Sequence, residues 1–306
     1  MEKCEKIALN YTGGYDSLTT AITLAPRTKE LHLLTFIPYG EKFQFLSRRN
    51  LEKLKKDFPG TVIIHKVIDN RSLQKRILRD FPQSCMEFGE DWAPLGVWCC
   101  TCQLAIRTGS LIYCIENGIT SCADGSGRDQ YFHSSHKVRV INSIKALYGE
   151  YGVKFITPIY DLDIDKRDLL KKNGYIVGVD VLGVSKTIQP FCFFGIFGPL
   201  RQMASDHRTD EGTIADYVDS KIAELRRMIG ERLKEKGIER SSLKKIELSE
   251  EDILKGGAQR EQRMPKNKVF IRILFNLASP FYLLFNYVVK NMYIRDKRRE
   301  KRLSGR

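Results

Sequence analysis

Over its first 190 residues the chain alternates short apolar runs with longer helix-like stretches, and the first run stops at two adjacent glycines. Lys6-Ile7-Ala8-Leu9-Asn10-Tyr11 reads as a strand, and the segment from Asp16 to Leu24 reads as a helix. A second strand follows at Leu31–Phe36, a helix at Phe45–Asp57 and a third strand at Thr61–Ile64. Leu73–Arg79 and Thr101–Asn117 are expected helices, the latter running into a strand at Thr120–Ala123. His136–Tyr148 is a further helix and Phe155–Pro158 a last short extended segment. Strands separated by helices build right-handed crossovers, so the expected fold is α/β, a doubly wound parallel sheet covered on both faces. Ligands on such sheets bind beyond the carboxyl ends of the strands, where Gly13 and Gly14 lie.

The character changes after Pro199. Thr213–Lys236 is a charged amphipathic helix with Ile214, Val218, Ile222, Leu225, Ile229 and Leu233 along one side. Asp252–Pro265, which contains Gly256-Gly257, reads as a linker, and the stretch from Val269 to Tyr293 is strongly apolar. The expected organisation is therefore a catalytic body over 1–200, a helical extension and linker over 201–262, and an apolar and basic C-terminal helix over 263–306.

Charge matters chiefly at that end. Of the formal net charge of +14, residues 261–306 supply +9, from 12 Lys/Arg against 3 Asp/Glu. On a helical wheel Arg272, Asn276, Ser279, Asn286 and Lys290 form a narrow polar stripe on an otherwise apolar surface, and Pro280 interrupts it. Such a helix suits the interface of an anionic membrane, with the basic end on phosphate head groups. A helix buried on the catalytic body, its basic end contacting RNA, fits the same residues.

Thr12-Gly13-Gly14-Tyr15-Asp16-Ser17 carries the chemistry of the first half. Two glycines let successive N–H groups point at one centre, and the helix behind them adds its terminal amides and dipole. Thr12 and Ser17 offer hydroxyls, and Asp16 is placed to hold magnesium or brace the loop. An ordinary Gly-Gly turn is the plainer alternative. The loop lacks the Lys-Ser/Thr of a Walker loop and the third glycine of a dinucleotide fingerprint.

The loop resembles the Ser-Gly-Gly-x-Asp-Ser motif of the PP-loop, or N-type, ATP pyrophosphatases, with Thr12 in place of the usual Ser. The resemblance covers about the first 200 residues. It implies a HUP-type, Rossmann-like adenine nucleotide alpha hydrolase domain that uses ATP with Mg2+ and releases AMP and pyrophosphate. Gly125-Ser126-Gly127-Arg128-Asp129 resembles a later segment of that superfamily, although its His is missing and Gln130 replaces its second Asp. Pro158 with Lys166 resembles another, which implies that Lys166 helps to hold the phosphates and that Asp129 contacts nucleotide or substrate.

Eight cysteines, with no apolar leader before Lys6, point to a reducing, cytoplasmic setting in which thiols do chemistry. Cys99-Cys100-Thr101-Cys102 and the later Cys192 resemble the cysteine pattern of tRNA 2-thiolation enzymes within the same superfamily. Two chemistries are compatible with that pattern. Cys99, Cys102 and Cys192 could ligate three irons of a [4Fe–4S] cluster that carries sulfur at the fourth. Otherwise one cysteine near residue 100 carries a persulfide and Cys192 resolves it. The expected helix start at Thr101 would lower the Cys102 pKa for either role. Three buried small hydrophobes are the plain alternative. Trp92 and Trp98, beside Pro94 and Gly96, read as a lid loop, and His133 with His136 as a pair on one helical face.

These features predict an ATP-dependent enzyme that adenylates a substrate oxygen and then transfers sulfur to a tRNA or small-molecule acceptor, drawing on a sulfur donor. A PP-loop ligase forming a C–N bond, with structural or zinc-binding cysteines, is the second reading. A membrane-attached nucleotide-binding protein without turnover is the third.

Overall fold

The computed structural model describes residues 4–129, 133–181, 184–186, 191–192, 211–255, 284, 287–292 and 294–295. Its centre is a five-stranded, all-parallel sheet of β1 (Cys4–Asn10), β2 (Thr28–Ile37), β4 (Val62–Asp69), β5 (Ser121–Ala123) and β6 (Lys154–Ile156). The spatial order is β4-β2-β1-β5-β6. The chain runs outward from β1 to one edge, then returns past β1 to build the other half. The order therefore reverses between β1 and β5, and that crevice is where such sheets take their ligands.

Period-two alternation loads both faces. Ile7, Leu9, Leu31 and Leu33 point into one core, together with Leu18 of α1 (Tyr15–Leu24), Leu54 of α2 (Leu51–Asp57) and Leu170 of α6 (Lys166–Lys172). Ala8, Leu34 and Phe36 point into the other core, built with α3 (Arg71–Ile77), α4 (Phe81–Glu116) and α5 (Val138–Gly149). These strands read as nearly continuous apolar runs because both their faces are covered.

The long amphipathic helix after residue 200 is α7 (Glu211–Glu235), as its spacing predicts. Val218, Leu225, Ile229 and Leu233 sit in the same core as α4 and α5. Lys221 is buried among apolar side chains, with its ammonium 2.6 Å from the Asp80 carboxylate and 3.0 Å from the Ser84 hydroxyl. Beyond α7 the chain returns over α5: the Ile246 N–H donates to the Gly149 carbonyl at 2.9 Å, and Asn142 pairs with both backbone groups of Leu254. Thus residues 252–255, expected to open a linker, lie against the body, and the remainder of that stretch is outside the described residues.

The helices expected at Phe45–Asp57 and from Thr101 onward differ from their sequence reading. The first is a short 3-10 turn, Gln44–Arg48, followed by α2. The second starts twenty residues early, at Phe81, and runs 36 residues as α4. Pro82 stands in its first turn, where a missing N–H costs nothing. Phe81, Cys85, Val97, Cys100, Leu104 and Leu111 follow helical spacing into one core, and their packing overrides Gly89, Pro94 and Gly96. The lid loop expected around Trp92 and Trp98 is therefore part of a helix, with Trp98 edge-to-face on Phe81.

Most of the tail lies outside the described residues. Residues 287–292 are helical; Val289 is buried in the core of α4 and α7, while Tyr287 and Val288 are exposed. Among the described residues no helix is long and apolar enough to cross a membrane.

Candidate active site

The Gly-Gly turn connects β1 to α1, and its conformation requires a glycine at position 13. Gly13 has φ +77°, and a Cβ there would sit 3.0 Å from the Ser47 Cα. Gly14 precedes α1, and its carbonyl accepts from the Leu18 N–H at 2.9 Å and the Ser17 hydroxyl at 3.2 Å. The Ser17 Oγ also accepts from the Thr12 N–H, and the Thr12 Oγ1 from the Gly14 N–H, each at 3.2 Å. The two hydroxyls thus tie the loop into a closed ring, with Thr12 on the exposed side and Ser17 buried. The start of a helix adds N–H groups with no partner inside the helix, and the dipole favours an anion there.

Three strand ends meet at this loop. After β6, Asp165 caps α6, its carboxylate accepting from the Arg167 and Asp168 N–H groups. That cap places Lys166 in the first turn, pointing back across the crevice. Its Nζ donates to the Asp16 Oδ1 at 2.7 Å and to the Asp129 Oδ1 and Oδ2 at 3.0 and 3.1 Å. The Lys166 side chain is 7% exposed, against 27% for Asp16 and 46% for Asp129. Burial alone would lower the Lys166 ammonium, but the Asp16 and Asp129 carboxylates outweigh it and hold it above its ordinary value. The sequence reading named these three residues, 150 positions apart at the extremes, and the fold puts them in one ion-paired group.

The glycines after β5 are needed for the same convergence. A Cβ at Gly125 would meet the Ser17 amide nitrogen at 2.9 Å, so this loop lies directly on the start of α1. A Cβ at Gly127 would meet the Asp129 Oδ1 at 2.3 Å and the Lys166 Nζ at 2.9 Å. Asp16 and Asp129 carry the oxygen chemistry that a magnesium ion takes from a protein when phosphates supply further ligands.

Arg107 had no assigned role from sequence, where it is one polar residue in an apolar helix. In the structure it is 1% exposed, with its guanidinium 2.8 Å from the Asp124 Oδ2 and 3.0 Å from the Ser135 carbonyl. Asp124 in turn accepts from the Ser126 N–H at 2.9 Å, so one buried ion pair fixes both limbs of the loop carrying Asp129. The Arg107 Nε and Nη1 have no hydrogen-bond partner among the described residues. An arginine on an apolar helix face was the available signal; its partners come from another strand.

His133 and His136 stack with ring centroids 5.2 Å apart beside this loop, the His136 Nδ1 accepting from the Gly127 N–H at 3.4 Å. Burial pushes His133 down to about 4 and His136 well below its usual range, where the charges of His133, Arg107 and Lys166 add to the effect. Both are neutral near pH 7. They adjoin the site and flank Ser135, whose carbonyl binds Arg107.

The cysteines are arranged differently from expectation. Cys99 and Cys102 lie in the middle of α4, away from either helix terminus and its dipole. Burial pushes the Cys99 thiol up to about 12, with the neighbouring Cys192 and Cys100 adding, and burial raises Cys100 likewise. Cys192 stands on the short strand β9 (Phe191–Cys192), which follows the antiparallel pair β7 (Val179–Val181) and β8 (Val184–Lys186) and itself pairs antiparallel with β3 (Glu41–Lys42). All eight cysteines are reduced. A [4Fe–4S] cluster needs three thiolates directed at one centre. Among the described residues, which include Cys99, Cys102 and Cys192, no group of three or more His, Cys, Asp or Glu side chains is placed to hold a metal ion. In this arrangement the three thiols do not fit a cluster.

No family model and no curated protein matches the chain. Among solved structures it is similar to a predicted subunit of tRNA methyltransferase from Methanocaldococcus jannaschii. The identity is 16%, covering 86% of this chain and 99% of that one, with a TM-score of 0.37. It is also similar to the U34-tRNA thiolase NcsA from Methanococcus maripaludis, solved with its [4Fe–4S] cluster. There the identity is 15%, covering 86% of this chain and 80% of that one, with a TM-score of 0.38. At scores this low neither likeness bears on the chemistry of the site.

Proposed function

We propose that the chain is an ATP-dependent adenylating enzyme of the PP-loop type. The observation that carries this reading is the buried Lys166, bound by Asp16 and Asp129 over the Gly-Gly loop at the point where the strand order reverses. A bound triphosphate would take the ammonium from these carboxylates, and the carboxylates would be released to a magnesium ion. Residues 12 to 17 cradle the phosphates through backbone N–H groups and the helix dipole. An acceptor oxygen attacks the α-phosphorus, the bond to the bridging oxygen breaks, and pyrophosphate leaves with that electron pair. Lys166 offsets the charge that gathers on the phosphate oxygens in the transition state. The adenylated carbon then has AMP as its leaving group.

In the first version of the second step a sulfur nucleophile displaces AMP, with Cys99, Cys102 and Cys192 handling sulfur from a donor and a tRNA or small molecule receiving it. The adjacency of Cys99 and Cys192 supports this. In the other version a nitrogen nucleophile displaces AMP and forms a C–N bond. The raised Cys99 thiol favours that version, because a protonated thiol is a poor nucleophile.

Isotopic exchange of pyrophosphate into ATP tests the adenylation step. The expected result is acceptor-dependent exchange and AMP formation, lost in Lys166→Met. ATP hydrolysis to ADP and phosphate, or binding without any exchange across candidate acceptors, would sink it. Alanine at Cys99 and Cys192 separates the two second steps: retained product formation excludes sulfur handling by these thiols.

A further inference from the structure

Residues 39–47 form a rim at the carboxyl end of β2 that the adenylation chemistry leaves unused. Phe43 and Phe45 are 55% and 65% exposed and Tyr39 is 40% exposed, although each is a large aromatic side chain. The Phe43 and Phe45 rings meet edge-to-face with centroids 6.1 Å apart, which leaves ring faces open to a ligand. Phe43 is also the one non-glycine residue among the described ones with a positive φ, +65°. A bulky side chain rarely adopts that conformation, and strain of this kind collects at ligand sites.

The rim sits between the two parts of the site. On one side Glu41 pairs with Cys192 and Lys42 with Phe191 in the β3–β9 ladder. On the other the Ser47 backbone lies against Gly13 of the phosphate loop. The surface is cationic, since residues 39–56 carry six Lys/Arg and two Asp/Glu, with Lys42, Arg48 and Arg49 exposed. That field is felt nearby: burial first, then the Arg48 and Lys55 charges, push His65 down to about 4. Open aromatic faces among cations bind unpaired bases by stacking, with the backbone phosphates on the basic side chains. A protein-binding patch would be expected to be poorer in lysine.

We propose that Phe43 and Phe45 form a stacking platform for an unpaired base of a single-stranded nucleic acid, whose phosphates lie on Lys42, Arg48 and Arg49. The platform presents the acceptor between the phosphate loop and Cys192; that last clause alone rests on the adenylation reading. The probe is fluorescein-labelled oligo(U), titrated by anisotropy without ATP. Phe45→Ala, and separately Phe43→Gly, which suits the left-handed backbone, are each expected to weaken binding about tenfold. Phe45→Trp is expected to retain it. Arg48→Glu with Arg49→Glu lowers the slope of log affinity against log salt by about one to two, while a duplex of equal length competes poorly. ATP affinity stays unchanged in all these variants.

Unchanged oligo(U) affinity in Phe45→Ala and Phe43→Gly overturns the proposal. So does a loss of ATP affinity in their place, which would make the rim an adenine platform. Self-association that these variants abolish while oligo(U) affinity holds would make it a protein contact. Pyrophosphate exchange is read separately: phenylalanine-dependent oligo(U) binding with no exchange would refute adenylation and leave the platform standing.

Discussion

Replacing Lys166 by Met keeps the length and apolar stem of the side chain and removes only its charge. In the wild-type protein that charge is shared between Asp16 at 2.7 Å and Asp129 at 3.0 Å. A fully exposed pair contributes about 0–1 kcal/mol, and breaking a buried one costs about 3–5 kcal/mol. Here the cation is buried while the carboxylates are about a quarter and nearly a half exposed, so water screens much of what the substitution uncovers. The expected loss is about 2 kcal/mol, or roughly 3 °C in Tm for a chain of this size. The pairing raises the Lys166 pKa above its ordinary 10.5, so its stabilising effect is full below that pH and is lost as pH rises through the folded value. The Tm difference between wild type and Lys166→Met should therefore persist through neutral pH and shrink in strong alkali. Catalysis should suffer more than stability, because a charge positioned on transferring phosphates contributes about 10²–10³ in rate. Pyrophosphate release at saturating ATP, with scanning calorimetry on the same samples, measures both. A folded Lys166→Met protein with wild-type pyrophosphate release would refute the assignment of Lys166 to the phosphates.

Other residues give independent outcomes. Arg107→Leu leaves the buried Asp124 carboxylate without its 2.8 Å partner and should cost about 3–5 kcal/mol in urea denaturation; a change within about 0.5 kcal/mol would mean that the pair does not brace the loop. Gly125→Ala drives a methyl to 2.9 Å from the Ser17 amide and should destabilise by about 1–3 kcal/mol while weakening ATP binding, whereas an alanine at exposed Gly237 should leave ATP binding intact. His65 and His133 are held near 4 and His136 lower, so the folded protein keeps them neutral while the unfolded chain protonates near 6.5. Stability should accordingly be full above about pH 6.5 and fall steadily towards pH 4, and His133→Asn should flatten that fall in a pH series of Tm. Iodoacetamide should alkylate Cys99 at pH 8 about a thousandfold more slowly than an ordinary thiol, and rapid labelling of the folded protein would contradict its burial.

The glycine loop and the sheet class were legible because they rest on local rules. Gly13 needs a positive φ, which only glycine adopts freely, and the apolar runs at Ile7–Leu9 and Leu31–Phe36 have strand length between amphipathic stretches. Lys166 and Asp129 were reachable through their resemblance to known segments, but their pairing with Asp16 was not, since nothing local records what lies across a crevice. The start of α4 was misread for the converse reason: Gly89, Pro94 and Gly96 signal a break locally, and burial of Phe81, Cys85 and Val97 against the sheet outweighs it. That single change moved Cys102 from an activating helix start to a helix interior, and burial there raises the neighbouring Cys99 thiol.

By itself, then, the sequence determined a parallel α/β sheet and a Gly-Gly turn after its first strand, because glycine conformation and hydrophobic period act over a few residues. Tertiary structure alone decided which charges face each other over that turn, that Arg107 braces the loop bearing Asp129, and that Cys99 and Cys102 lie inside a helix. Those depend on strand order and on exclusion of water, which arise only when distant segments meet.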